Sequence, residues 1–278
     1  MEGISAFFVE NIGYVYFFYG LAFFALGLVV LLEAGRPTEF RFGHALLPLA
    51  LFGLIHGSHE WFEMFQIFAA KRGMAATGAP VELLRLILLV SSFLCLLNFG
   101  LHLLPGAEDN PATVWTLTAA IGGLTLVALG FVYLIYRPAA VDLLIAGDVL
   151  SRYLLAVPGA ILATWALLRE RHDFHARGMS RYGRGLLWAA LAFLVYGVVG
   201  QLFVRPSIIP PSQFLNSDLF LQVAGFPVQL LRTIAALAIA VALGSALRAF
   251  EAENRIRLAR ANKGRLEALD AQARRAEE

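Results

Sequence analysis

The chain has 278 residues, of which 59% are hydrophobic and only 15% charged, with a mean hydropathy of +0.70 and a formal net charge of +2. Soluble domains hold about 45–50% apolar and about 25% charged residues, so this composition excludes a soluble globular domain and points to an all-α, polytopic membrane protein. So small a charge gives no footprint for nucleic acid, and the single cysteine, Cys95, excludes an intrachain disulfide or a multi-cysteine metal site.

Seven apolar runs come near the roughly 20 residues that a helix needs to span hydrocarbon. They lie at 11–32, 43–69, 82–104, 113–136, 141–168, 185–204 and 226–247. The first lacks a basic leading region and outruns a signal core, so it is expected to be retained. The third contains Cys95, which reads as inert packing. The fifth is interrupted by Asp142, Asp148, Arg152 and Pro158 and is expected to be kinked, tilted or partly interfacial. Five arginines between Arg169 and Arg184, and more after Leu247, place that loop and the C-terminal tail in the cytoplasm, with the N-terminus outside. Lys71 and Arg72, on the outside in this scheme, and the acidic 105–112 loop fit it poorly. No internal repeat of helix-pair length is visible, which disfavours a transporter.

The second run holds the densest chemistry, Leu54-Ile55-His56-Gly57-Ser58-His59-Glu60-Trp61-Phe62-Glu63. At roughly 100° per residue, positions 56, 59, 60 and 63 share one arc of about 100°. Ionisable groups inside a membrane cost a few kcal/mol each and face a bundle interior or a watery cavity, so this face is a candidate site. Arg85, Arg152 and Arg232 fall at the same expected depth, where pairing with Glu60, Glu63, Glu82 or Asp148 neutralises them. Three readings fit the resulting chamber. It is a structural ion-pair network; or His56, His59, Glu60 and Glu63 ligate a transition metal; or Arg85, Arg152 and Arg232 bind a small anion or a carboxylate-bearing lipophile, with Glu60 and Glu63 beside them as ligand-binding residues, while the histidines sense its protonation or the ambient pH. The order H-x-x-H-E-x-x-E differs from the H-E-x-x-H of zinc proteases. His44 and His102, near the inner ends of runs two and three, form a secondary haem b candidate. His172 and His175 belong to the basic loop and are expected to be solvated beside lipid headgroups.

Between runs six and seven, Val204–Phe220 reads as a Pro-stiffened approach to an amphipathic helix capped by Ser212, with Phe214, Leu215, Leu219 and Val223 on its apolar face. Such a helix anchors at the membrane surface or covers the chamber. After Leu247 the chain turns charged without a proline, and Ala259, Asn262, Leu266, Leu269, Ala273 and Ala276 follow a 3-4 spacing. A weak parallel coiled coil and a solvated single helix both fit. The division is thus 1–247 for the membrane domain and 248–278 for a cytoplasmic helix that breaks off mid-pattern, as a linker to an output domain would.

His56-Gly57-Ser58-His59-Glu60-Trp61, Arg152-Tyr153-Leu154-Leu155-Ala156-Val157-Pro158-Gly159-Ala160, Gly225-Phe226-Pro227-Val228-Gln229-Leu230-Leu231-Arg232 and Leu247-Arg248-Ala249-Phe250-Glu251 together resemble the N-terminal membrane sensor regions of bacterial sensor histidine kinases. Related regions precede PAS or diguanylate cyclase outputs. The resemblance covers nearly the whole chain and implies a homodimeric input module of the bacterial inner membrane. No phospho-acceptor helix or ATP-lid glycine box is present, so no kinase activity is expected of this chain. The rival from another class is an integral-membrane metalloenzyme, a lipid or small-molecule hydrolase that uses the run-two cluster with a bound water.

Overall fold

The structure is a computed structural model that describes residues 2–34, 45–74, 78–107, 110–176 and 180–277. These residues are almost wholly helical. The helices are α1 (Glu2–Glu10), α2 (Ile12–Ala34), α3 (Leu46–Lys71), α4 (Ala79–His102), α5 (Pro111–Tyr136), α6 (Ala140–Ser151) and α7 (Val157–Ala176), then α8 (Ser180–Leu194), α9 (Gly200–Leu202), α10 (Ser217–Ala224) and α11 (Val228–Glu277). Two π-helical turns, π1 (Arg152–Ala156) and π2 (Val195–Val199), join α6 to α7 and α8 to α9 without a break.

Five helical segments are long and apolar enough to cross a membrane: Ile12–Leu32, Ala79–His102, Pro111–Tyr136, Gly183–Leu202 and Val228–Arg248. The other two expected spans exist as long helices, Leu46–Lys71 and the continuous segment 140–176, but they are more polar. The difference has a physical source. These two helices carry His56, His59, Glu60, Asp148 and Arg152, all of which turn into the bundle.

The core joins α2, α3, α4, π1, α7, α8 and α11 through side chains such as Tyr19, Phe23, Phe52, Phe93, Phe193 and Leu243, all fully buried. α5 packs more peripherally, and Leu124, Leu126, Phe131 and Ile135 leave its outer face apolar and exposed, as a lipid-facing helix requires.

Glycines set the closest approach. Gly20 and Gly27 of α2 meet Gly57 and Gly53 of α3 backbone to backbone; a Cβ on Gly57 would lie 2.7 Å from the Gly20 carbonyl oxygen, and one on Gly53 would lie 2.7 Å from the Gly27 nitrogen. Gly53-x-x-x-Gly57 is therefore a small-residue crossing motif of the kind that packs membrane helices. It fixes the depth and rotation of the helix that presents the two histidines.

The fifth run is a continuous helix with an inserted π turn. Pro158 has no N–H to donate one turn back, and within the turn the N–H of Val157 reaches the carbonyl of Arg152, five residues earlier. The second π turn lies against α7 where Gly197 faces Ala160, leaving no room for a side chain.

The 203–227 segment departs from expectation. Its helix begins at Ser217, and Asn216 caps it by accepting from the N–H groups of Asp218 and Leu219. Ser212 is instead buried and donates to the Ile209 carbonyl at 2.6 Å. Phe220 points inward against Phe203 and Phe226, whereas Phe214 and Val223 stay exposed. The cap lies at Asn216 because the Ser212 hydroxyl is committed to the Ile209 carbonyl, whereas Asn216 is positioned by its amide, which donates to the Ser212 carbonyl, and by the neighbouring Ser217 N–H, which donates to the Val204 carbonyl.

α11 runs unbroken for 50 residues, about 75 Å at 1.5 Å per residue. Of its expected coiled-coil stripe, Ala259, Asn262 and Leu266 are exposed in the single chain. The side chains of Leu269, Ala273 and Ala276 lie outside the described residues.

Replacing Gly57 with valine should force α2 and α3 apart, at a cost of about 1–3 kcal/mol from overpacking. Gly123→Ala on α5, where a Cβ meets nothing within 4 Å, should be neutral or slightly stabilising. Thermal unfolding midpoints of the two detergent-purified variants check the contrast.

Candidate functional site

The structure brings together the polar residues of α3, α4, α6, π1 and α11 that the sequence singles out. His56, His59 and Glu60 are buried at 0, 1 and 2% exposure, with Arg152 and Arg232 at 5%. The groups divide into two adjoining clusters with different chemistry.

The first surrounds His56. Its Nδ1 lies 3.0 Å from Ser92 Oγ, whose own hydroxyl donates to the Leu89 carbonyl at 2.7 Å. With that hydrogen committed, Ser92 accepts, so Nδ1 carries the ring proton and Nε2 is an acceptor. The phenols of Tyr19 and Tyr196 stand 3.2 and 3.0 Å from Nε2. Phe23, Phe52 and Phe93 enclose the ring. Both nitrogens of His56 are thus engaged within the protein.

The second cluster is an ionic relay. Asp148 Oδ1 accepts from Arg152 Nε at 2.6 Å, and its other oxygen lies 3.6 Å from Arg85 Nη2. Arg85 also pairs with Glu63 and, at 3.1 Å, with Glu82. Glu82 is shared with Arg205, 3.3 Å away. Arg152 further donates to Gln201 Oε1 at 2.8 Å and covers the face of Phe93. Arg232 is held differently. It donates to the carbonyls of Gly200 and Phe203 at 2.8 and 3.0 Å, capping the C-terminal end of the helix that finishes at Leu202. Those carbonyls lack helical partners, and a guanidinium is favourable at that end of a helix dipole.

Between the clusters lies a cavity of about 40 Å³, lined by Tyr16, His59, Glu60, Glu63, Arg85, Arg152, Phe203, Val204, Arg205, Ser217, Val228, Gln229 and Arg232. At roughly 10–15 Å³ for each water-sized centre, it holds about three such groups. The 203–227 segment supplies one wall. The ligand-binding candidates of the sequence, Arg85, Arg152, Arg232, Glu60 and Glu63, all line this one space. The volume is far below the roughly 300–1,000 Å³ of drug-sized ligand sites, so neither a carboxylate-bearing lipophile nor a haem fits this cavity.

Among the described residues no three His, Cys, Asp or Glu side chains are arranged to hold one metal ion. The shared arc of His56, His59, Glu60 and Glu63 does not become a coordination sphere, because His56 turns to the two tyrosines and Ser92 and does not line the cavity. A hydrolytic zinc site needs three protein ligands and an open position, which this arrangement does not offer. For the secondary haem candidate, His102 bonds the Asn98 carbonyl through Nδ1 at 3.0 Å and packs edge-on to Trp115, while His44 lies outside the described residues. His175, expected in a basic loop, lies in the last turn of α7 and bonds the Arg171 carbonyl through Nδ1 at 2.8 Å.

Tyr16, Tyr19, Ser92, Tyr196, Gln201 and Arg205 belong to the site and were not singled out from sequence. Tyrosine and serine in apolar runs look like ordinary lining. Gln201, buried at the end of run six, carries the clearest signal, since an amide in lipid needs a partner.

Compared with protein-family models, curated proteins and solved structures, the chain gives no match.

Asp148→Ala removes the carboxylate that Arg152 and Arg85 share and leaves buried charge uncompensated, so it should destabilise by about 3–5 kcal/mol. Asp142→Ala, on the exposed start of α6, should change stability by about 0.5 kcal/mol or less. Unfolding midpoints in a common detergent compare the two.

Proposed function

We propose that the chain is a membrane-embedded sensory input module in which the chamber is the receptor site and α11 is the transmitter. The observation that carries this reading is that Arg232, in the chamber wall, belongs to the helix that continues unbroken to Glu277. A species entering the chamber competes for the Arg232 guanidinium, which holds α11 to the end of α9. Loosening those bonds lets α11 slide or rotate relative to α3, π1 and α9. A continuous helix transmits such a displacement along its length, because each turn is hydrogen-bonded to the next.

The surroundings support the same reading. The polar groups are concentrated at one end of the bundle, beneath a covering segment, and the charged helix leaves from the other end. In this reading seven helices span a bacterial inner membrane, with α3 and the 140–176 helix tolerated because their charges are paired inside. The arginine-rich segment from Arg169 to Arg184 and the tail are cytoplasmic. Two copies join through the stripe that includes Leu266, which is exposed at 62% in the single chain. The tail then delivers the change to an output domain.

A spin label at Lys263→Cys in a Cys95→Ser background, with the chain in lipid nanodiscs, tests this. Pulsed dipolar spectra should give a distance between the two tails of a dimer, and both Glu60→Gln and Arg232→Ala should shift that distribution. A monomeric tail, or distributions that superimpose across all three proteins, would overturn the proposal.

A further inference from the structure

Equal numbers of opposite charges surround the chamber, yet two of them are not paired. Glu63, Glu82 and Asp148 are matched with Arg85, Arg205 and Arg152. Among the described residues Glu60 meets only imidazoles, at 3.1 Å from His59 Nδ1 and 3.4 Å from His56 Nε2. Arg232 is met by backbone carbonyls, with no carboxylate of the described residues in ion-pair contact. Glu60 and Arg232 line the same small cavity from opposite elements.

His59 supplies the third observation. Its Nδ1–H donates to Glu60 Oε1, which leaves Nε2 as a bare acceptor. That nitrogen is buried, has no hydrogen-bond partner among the described residues and lies 3.7 Å from Glu63 Oε1. A buried acceptor with no donor is costly unless something enters to satisfy it.

From this geometry we infer that the chamber takes up a small monobasic oxyanion of three or four heavy atoms together with a proton, as its weak acid. The inference rests on the reading of the chamber as the receptor site and names its ligand class. The acid's O–H bond breaks and an N–H bond forms at His59 Nε2; the oxyanion is held by Arg232. No redox step is involved. Size selects the class, because the cavity admits about three water-sized groups. Charge selects it too, because a bare anion would leave the buried network one negative charge in excess, whereas anion plus proton keeps it neutral.

Charged and titratable groups face His59 from its own helix and from the elements packed around it. On its own helix His59 faces Glu60 and Glu63. Across the cavity stand Tyr16 of α2, Arg85 of α4, Arg152 of π1, Arg205 of the connecting segment and Arg232 of α11, with Asp148 behind Arg152. The arginines oppose an added positive charge until an anion offsets them.

Isothermal titration of the whole chain in nanodiscs with sodium formate, between pH 7.5 and 5.5, tests the inference. Formate should bind about tenfold more tightly for each unit of falling pH, as one linked proton requires, and titrations in buffers of different ionisation heat should count one proton taken up per formate. His59→Gln should bind formate without proton uptake, and Arg232→Gln should lose formate at every pH. Failure of the wild type to bind formate, or binding without proton uptake, would overturn the inference, whatever the variants do. The tail distance measured with and without formate separates this from the sensor reading. Proton-linked binding with an unmoved tail would uphold the ligand class and sink the transmitter role. A tail that shifts in Glu60→Gln and Arg232→Ala but a wild type blind to formate would do the reverse.

Discussion

The pairing of Asp148 with Arg152 and Arg85 is the interaction on which the arrangement of the bundle most depends. An ion moved from water to a low-dielectric interior costs several kcal/mol even after relaxation, so none of these groups is tolerable alone. Once paired, they bind α4 to the middle of the 140–176 helix at a defined height and rotation. Glu63 then ties α3 to the same arginine, and Glu82 brings in Arg205 and the segment that walls the chamber. One chain of charges thus relates four parts of the fold that apolar packing alone would leave free to slide. Apolar contacts inside a membrane have little preference for one register over another, since lipid is as good a neighbour as leucine.

The backbone is adapted to this network at two places. The π turn at Arg152–Ala156 accommodates the missing donor of Pro158 and begins at the arginine that pairs with Asp148. The π turn at Val195–Val199 contains Tyr196, whose phenol reaches His56, and directly precedes Gly200, whose carbonyl receives Arg232. Each inserts an extra residue and so re-aims the side chains that follow. Such turns are frequent at functional sites, and both here fall where side chains of different helices must converge.

The two histidines of one short motif have divergent fates. His56 is closed off by three hydroxyls and an aromatic cage, while His59, three residues on, keeps one nitrogen unsatisfied beside a cavity. Helical spacing places both on one side of α3, and the neighbours on α2, α4 and π2 decide what each does. The first fixes the helix, and the second keeps an acceptor open beside the cavity.

Much was legible in advance, and for definite reasons. Composition and run length determined an all-helical membrane chain, because the hydrocarbon layer imposes a length and forbids unpaired backbone. Helical periodicity placed Glu60 and Glu63 with His59, and the cost of lone buried charge required the arginines of other helices to come to them. The metal site was not determined, since shared facing does not fix which lone pairs are already taken; Tyr19, Tyr196 and Ser92 took those of His56 from runs distant in sequence. The cap at Asn216, the glycine contact between α2 and α3 and the volume of the chamber were likewise decided by the tertiary structure. They depend on distances between elements, and a sequence carries the period of each helix but not the separation of two.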